Sequence, residues 1–79
     1  MSDKKAVKLS KIEAGVTVIF NDVIAGHELR TRLATMGMVP GTEITVVSNM
    51  RRGPVVINIK GSKMALGRGM ADKITVEIK

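Results

Sequence analysis

The sequence predicts a mostly β domain, a small barrel of about five strands with one helix inserted after the first strand. Several short segments alternate apolar with polar residues, and only one longer segment has apolar residues at helical spacing. A sheet of about five short strands hides its edges best by curling into a barrel. Because only one segment predicts a long helix, helix-bundle and doubly wound architectures are disfavoured.

The chain of 79 residues is expected to hold a single domain preceded by a basic segment. The basic segment covers residues 1–8 and the domain covers residues 9–79. Lysines at positions 4, 5, 8 and 11 make the beginning of the chain basic. Leu9 and Ile12 are the first side chains expected in the core, and the residues around them are expected to form a short turn of helix.

The strands are predicted from β-branched residues and from period-two alternation over residues 16–20, 43–47, 55–60 and 74–78. The side chains expected to face the core are Val16, Val18, Phe20, Ile44, Val46, Val55, Ile57 and Ile59. A polar hairpin loop is predicted over residues 49–54 and a turn over residues 61–62. Residues 63–66 are a short apolar piece, and a glycine-rich turn over residues 67–72 joins it to the last strand.

The one clear helix is predicted at about residues 27–36. Its apolar residues recur at helical spacing and are Leu29, Leu33 and Met36. Glu28 and Arg32 stand one turn apart, where they are expected to pair on the solvent side. The helix is therefore expected to place one apolar stripe on the sheet.

The end of the helix carries a capping signal. Gly37 stands where a left-handed residue is needed, and Met38 follows where it can contact Leu33 as in a Schellman motif. Pro40 and Gly41 suit the two central positions of a type II turn. Capping and turn geometry alone therefore explain Gly37, Pro40 and Gly41.

Composition favours a binding module with a negatively charged partner. The formal net charge is +6, from 13 basic and 7 acidic residues, which suits nucleic acid, an acidic protein face or an anionic lipid surface. Phe20 is the only aromatic residue and is expected to be buried, which disfavours stacking on bases. No cysteine is present, which fits a reducing cytoplasm, and neither a signal peptide nor a membrane-spanning segment is predicted.

The sequence offers no recognisable catalytic, cofactor or metal site. His27 is the only histidine, and a metal site would need the scattered carboxylates of Asp22, Glu28 or Glu13 to complete it. Residues 67–69 resemble a fragment of a phosphate-binding loop but lack the Gly-Lys-Ser/Thr ending of a P-loop. We therefore expect no enzyme activity, no cofactor and no bound metal.

Partner contacts are expected at two turn tips and at one arginine. The candidates are Met38, Val39, Met50, Arg51, Arg52 and Arg68. Met38 and Val39 are either core residues or a small docking patch at the turn after the helix. Arg51 and Arg52 are either solvated or face an acidic surface, in which case they would mainly raise the rate of encounter.

Residues 32–44 contain the pattern Arg-Leu-x-x-Met-Gly-x-x-Pro-Gly, where x is any residue, and this block resembles the ferrous iron transport protein A (FeoA) family. The pieces Gly-Pro-Val at 53–55, Ala-Leu at 65–66 and Ala-Asp-Lys-Ile-Thr-Val at 71–76 extend the resemblance. It implies an SH3-like barrel and a cytoplasmic partner of the membrane transporter FeoB, whose cytosolic part includes a GTP-binding domain. The implied role is support of ferrous iron uptake without binding the iron, although transition metal ion binding is a description applied to the family as a whole.

The resemblance leaves some points open. Many FeoA proteins carry an arginine directly after the leucine of the fourth predicted strand, where this chain has Gly67 and then Arg68. The barrel is also similar to the C-terminal domain of iron-dependent repressors, but no helix-turn-helix pattern precedes Leu9, so a free-standing domain is expected. The alternatives are a nucleic-acid-binding barrel, with weak and sequence-blind contacts, and a module that self-associates weakly through its strand edges. The expected location is the cytoplasm, with recruitment to the inner face of the membrane by the transporter.

Overall fold

The period-two segments of the sequence form antiparallel strands in a computed structural model, which describes residues 6–79. Residues 1–5, which belong to the predicted basic segment, lie outside the described residues. The elements in chain order are β1 (Val7–Lys8), a 3₁₀ helix (Leu9–Lys11), β2 (Thr17–Val23), α1 (His27–Thr35), β3 (Glu43–Asn49), β4 (Val55–Ile59), β5 (Ser62–Leu66), α2 (Arg68–Ala71) and β6 (Ile74–Ile78). The predicted mostly β fold with one inserted helix is confirmed. The described residues form six strands rather than about five, because β1 adds a two-residue strand.

All six strands belong to one sheet in the order β1-β6-β2-β3-β4-β5. The pairs β2–β3, β3–β4 and β4–β5 are neighbours in the chain, whereas β6 returns to lie between β1 and β2. Phe20 of β2 faces Val76 of β6, and the register between these strands shifts after Phe20. The last strand therefore ties the two ends of the domain together.

One apolar core lies on the inner face of the curled sheet. Every side chain predicted to face the core is buried except Val16, which is half-buried and packs against the core. Leu9 and Ile12 are buried as predicted. Full burial of a Val, Leu or Ile side chain stabilises a fold by about 1.5–3 kcal/mol. Residues with 0% exposure include Val18, Ile44, Val46, Val55, Ile57, Ile74 and Val76, so the strands supply most of this stabilisation.

Two predictions about α1 are wrong. Met36 is 39% exposed instead of facing the core, because the helix ends at Thr35 and Met36 is the capping residue beyond its last turn. Glu28 and Arg32 are not among the ion pairs of the described residues. The neighbouring Arg30 reaches across to the sheet instead, with its Nη1 3.0 Å from Asp22 Oδ1.

Two of the predicted turns also differ. The glycine-rich residues 67–72 form a short helix, α2, in which Ala71 is fully buried and holds the segment against the core. The β4–β5 turn lies at residues 60–61 rather than 61–62, since Ile59 pairs with Ser62. Both turn residues have positive φ, +51° for the lysine and +87° for the glycine, as two-residue hairpins require.

The cap and turn that follow α1 have the predicted geometry. Met38 N donates to Leu33 O at 2.9 Å and Gly37 N donates to Ala34 O at 3.0 Å, which is the bond pair of a Schellman motif. Gly37 has φ +95°, in the left-handed region that favours glycine. Gly41 has the same φ and lies within a turn closed by the bond from Thr42 N to Val39 O at 3.0 Å. Both glycines are therefore needed by the backbone alone.

We expect Gly37→Val to lower the free energy of unfolding by more than about 1 kcal/mol, because a β-branched residue at positive φ is strained. A Cβ at this position would lie 3.8 Å from Ile59 Cγ2, an ordinary van der Waals contact, so the cost comes from the backbone conformation. Urea denaturation followed by circular dichroism measures the loss. Gly69→Ala is the matched control, since Gly69 lies in α2 with nothing within 4 Å of an added Cβ. Equal stability of the two variants would contradict the capping argument.

Candidate functional site

The candidate contacts lie at two opposite ends of β3. Residues 39–42, called here the turn end, precede β3, and residues 50–53, called the loop end, follow it. The strand has seven residues, so the two ends are separated by about 20 Å at the usual rise of a strand. The sequence placed both sets of candidates at turn tips, but their separation follows only from the strand between them, whose pairing with β4 shifts register between Val46 and Ser48.

At the turn end, Val39 is the exposed apolar residue. Met38 is only 2% exposed and belongs to the core, so it is a core residue rather than an accessible contact. Val39 is 45% exposed, and Pro40 beside it is also exposed. Of the two apolar residues predicted at this tip, only Val39 is available to a partner.

Backbone bonds to β2 fix the position of the turn end. Phe20 N donates to Thr42 O at 2.8 Å, and Gly41 N donates to Phe20 O at 3.0 Å. The Thr42 hydroxyl also donates to Gly37 O at 3.1 Å. Because both edges of the turn are bonded to ordered backbone, Val39 is presented in one fixed position.

A shallow groove of about 120 Å³ lies beside Val39, between β2 and α1. Its lining residues are Phe20, Asp22, Val23, Arg30, Ala34, Met38, Val39 and Pro40. Three of its six apolar members, Phe20, Val23 and Met38, are core side chains, and the exposed Asp22 and Arg30 of the lining form an ion pair. The groove can accept a small apolar side chain and offers both signs of charge next to it.

At the loop end, a tight turn exposes an apolar residue beside two cations. Met50 is 70% exposed, the largest exposed fraction among the large hydrophobic residues of the described chain. Arg51 and Arg52 follow it and are both exposed. The bond from Gly53 N to Met50 O at 3.2 Å closes the turn.

Arg68 of α2 holds the loop end in place. Its Nε donates to Gly53 O at 3.3 Å, and its Nη2 donates to Asn49 Oδ1 at 2.6 Å and to Met50 O. One guanidinium group therefore binds three oxygen atoms on the two sides of the loop. Arg68 was predicted as a partner contact, and its geometry gives it a second role as the support of the loop.

Asn49 is the residue of this site that the sequence did not reveal. While its Oδ1 accepts from Arg68, its Nδ2 donates to Ser10 O at 2.9 Å and to Ile12 O at 2.6 Å. The asparagine thus joins the 3₁₀ helix region, β3 and α2. Its partners lie 19 to 39 residues away in the chain, so no local pattern could have indicated the role.

A notch of about 340 Å³ opens between the loop end and α2. The described residues that line it are Arg51, Arg52, Gly53, Pro54, Gly67 and Arg68. Three of the six are arginines, and none carries a carboxylate. Guanidinium groups bind phosphate and carboxylate oxygens in pairs of parallel hydrogen bonds, so the notch has the chemistry of an anion site.

Metal-binding and base-stacking chemistry is absent from residues 6–79. No group of three or more histidine, aspartate or glutamate side chains comes together there, and His27 is exposed at the first position of α1. Phe20 is 4% exposed, which confirms that it is buried and removes it as a stacking surface for bases. Within the same residues, no helix is long and apolar enough to cross a membrane.

A strand-rich, SH3-like domain of this kind is shared with proteins of ferrous iron transport. The family model of the FeoA domain matches residues 7–78, and the chain therefore belongs to the FeoA family. A protein of Methanocaldococcus jannaschii that carries the name Fe(2+) transport protein A is 42% identical over 69 residues, which are 87% of this chain and 83% of that protein. The FeoA family is thus a family of ferrous iron transport proteins.

Solved structures agree on the fold. The solution structure of FeoA from Chlorobium tepidum has a TM-score of 0.81 and 33% identity, and the match covers 91% of this chain and 70% of that one. FeoA of Stenotrophomonas maltophilia, described as a prokaryotic SH3 domain protein and solved with zinc, has a TM-score of 0.76 at 21% identity, over 89% and 88% of the two chains. The predicted SH3-like fold is confirmed.

The repressor alternative rests on the fold alone. IdeR of T. acidophilum has a TM-score of 0.83 at 18% identity, and the match covers all of this chain but only 37% of that protein. Identity at this level shows a shared barrel only. The FeoA assignment has the stronger support, because it combines the family match with 42% identity to a named relative.

We expect Arg68→Ala to loosen the loop end and to lower the free energy of unfolding by about 1–3 kcal/mol, because it leaves partly buried oxygen atoms without their charged donor. Amide hydrogen exchange at Gly53 should accelerate, and urea denaturation should report the loss of stability. Arg68→Lys is the control that keeps the charge but loses the planar fork, and it should recover little of either effect. Unchanged exchange in Arg68→Ala would show that the loop does not depend on this side chain.

Proposed function

We propose that this protein is a small cytoplasmic accessory protein that docks on the cytosolic part of the membrane transporter FeoB and supports or regulates Fe(II) uptake. Membership of the FeoA family supplies the process. The observation that carries the docking step is Val39, an apolar side chain 45% exposed on a turn fixed by backbone bonds. The partner would bring the docked protein to the inner face of the membrane.

The fixed turn supports this proposal through the entropy of binding. A flexible loop must be ordered when it binds, and that ordering reduces affinity. Here the Schellman motif and the bonds to Phe20 have already ordered the turn. An apolar residue of the partner can enter the groove beside Val39, while a charged residue of either sign can meet Arg30 or Asp22 in its lining.

Titration of the labelled protein against the cytosolic domain of FeoB, and against the full-length transporter in detergent, tests the proposal. Saturable binding is expected at low salt. In cells, loss of the protein should reduce ferrous iron uptake. The proposal fails if a folded sample does not bind full-length FeoB at low salt and if its loss leaves uptake unchanged.

Val39→Glu should weaken binding to FeoB by at least about tenfold, because a contact buried at an interface would then hold an unpaired charge, and such changes cost about 1.4 kcal/mol or more. The far-ultraviolet circular dichroism and the urea midpoint should stay close to those of the wild type.

Val47→Glu provides a matched control, because Val47 is a valine of similar exposure, 39%, on β3. It changes the net charge by the same amount and should leave the affinity nearly unchanged. If the two variants bind FeoB equally well, Val39 is not part of the contact. If Val39→Glu unfolds, Val39→Ser tests the same contact without a buried charge.

A further inference from the structure

The loop end has features that docking at the turn end does not use. Its notch is lined by three arginines and no carboxylate among residues 6–79. The nearest acidic residue in the chain to α2 is Asp72, which accepts a hydrogen bond from the Ser10 hydroxyl and does not line the notch. The two ion pairs of the described chain use Asp22 and Glu43, so neither Arg51 nor Arg52 has its charge neutralised within the molecule.

The three arginines of the notch lie where one anion could contact them together. The three bonds of Arg68 to the loop use Nε and Nη2, so Nη1 makes no hydrogen bond among the described residues, and Arg68 lines the notch. Arg51 and Arg52 are carried on the loop that those bonds support. A fixed cluster of guanidinium groups selects phosphate over water because it forms several charge-assisted hydrogen bonds at once.

Met50 adds an apolar contact at the same tip. Its side chain is 70% exposed and directly precedes the two arginines in the chain. A second apolar-lined depression at the tip is bounded by Met50, Arg51, Arg52 and Gly53. A soluble phosphate ion gives an exposed methionine nothing to contact, whereas the headgroup layer of a membrane accepts an apolar side chain flanked by cations.

We propose that the loop end binds the surface of an anionic phospholipid membrane, with lipid phosphate groups in the arginine notch and Met50 in the headgroup layer. The net charge of +6 complements such a surface. This site lies at the end of β3 opposite the turn end, so it does not depend on docking to FeoB. An acidic protein surface is the rival partner, since arginine and methionine are also common at protein interfaces, and the experiments below separate the two.

Flotation with lipid vesicles and no transporter tests the proposal directly. Wild-type protein should float with vesicles of phosphatidylcholine and phosphatidylglycerol in equal amounts, and it should not float with phosphatidylcholine alone. Each arginine near an anionic surface should contribute about fivefold in affinity, so Arg51→Gln with Arg52→Gln should lose about 25-fold. Raising the salt should weaken the wild type strongly and the double variant little.

The matched control is Lys60→Gln with Lys63→Gln, which removes the same two charges from the exposed β4–β5 hairpin near the turn end. It should lose less than about threefold, since these lysines lie far from the membrane and long-range attraction is screened by salt. An equal loss in the two double variants would show that binding follows net charge alone and would overturn the site.

A tryptophan at the tip reports insertion. The chain has no tryptophan or tyrosine, so Met50→Trp introduces a single strong fluorophore. Its emission should shift to the blue on anionic vesicles, whereas the emission of Val39→Trp at the opposite end should not shift. Met50→Ser should bind the same vesicles more weakly than the wild type while keeping its salt dependence.

Three further results would overturn the proposal. The first is the absence of flotation with anionic vesicles at low salt by folded protein. The second is full displacement from vesicles by millimolar inorganic phosphate together with no shift of the tryptophan at position 50, which would identify a site for free phosphate. The third is a loss of FeoB binding in the double arginine variant without any effect on vesicles, which would assign the loop end to the protein partner.

Discussion

The hydrogen bonds between the turn at residues 39–42 and Phe20 are the interaction on which the arrangement of this domain depends. They tie the turn that follows α1 to β2, and they start β3 in register beside β2. The Schellman motif just before them places Met38 in the core, where it is 2% exposed, while Val39 stays at the surface. Helix, sheet and surface are thus positioned by a few backbone groups. A chain of 79 residues builds only a small core. Local backbone bonds therefore contribute much to the order of the structure.

The loop end reaches the same fixed geometry by a different means. At the turn end backbone bonds to β2 supply the order, whereas at the loop end the side chains of Arg68 and Asn49 do so. The hydrogen bonds of a charged donor are stronger than those of a neutral donor. The guanidinium group of Arg68 also keeps a positive charge beside the loop. The support of the loop and the charge of the notch therefore come from one residue. This coupling explains why a substitution at Arg68 would change both order and charge, whereas Arg51 and Arg52 can be altered without removing the support.

The sequence predicted the features that depend on local chemistry. The Schellman motif, the turn at Pro40 and the alternation of the strands are all determined by residues within a few positions of each other, and the structure has each of them. Met36 was placed wrongly because helical spacing alone does not show where the helix ends. The short helix α2 was missed because two glycines predict a turn, while the burial of Ala71 against the core favours a helix. The role of Asn49 depends on groups far away in the chain, and only the assembled fold brings them together.

The separation of the two ends has a consequence for how weak contacts would act together. A protein of 8.5 kDa that touches a membrane protein through Val39 buries little surface there, and a contact of that size alone is weak. A second contact would lie about 20 Å away, at the other end of β3. Once the first contact has formed, the second one forms within the same complex instead of between separate molecules. The effective concentration of the partner then rises to the millimolar range without any new contact at the first site. Because β3 is paired with β2 and β4 in one sheet and both ends are joined to it, the protein would hold its two contacts a fixed distance apart. If both proposed contacts form, the domain would orient its partner relative to the lipid surface, which attraction by charge alone would not do.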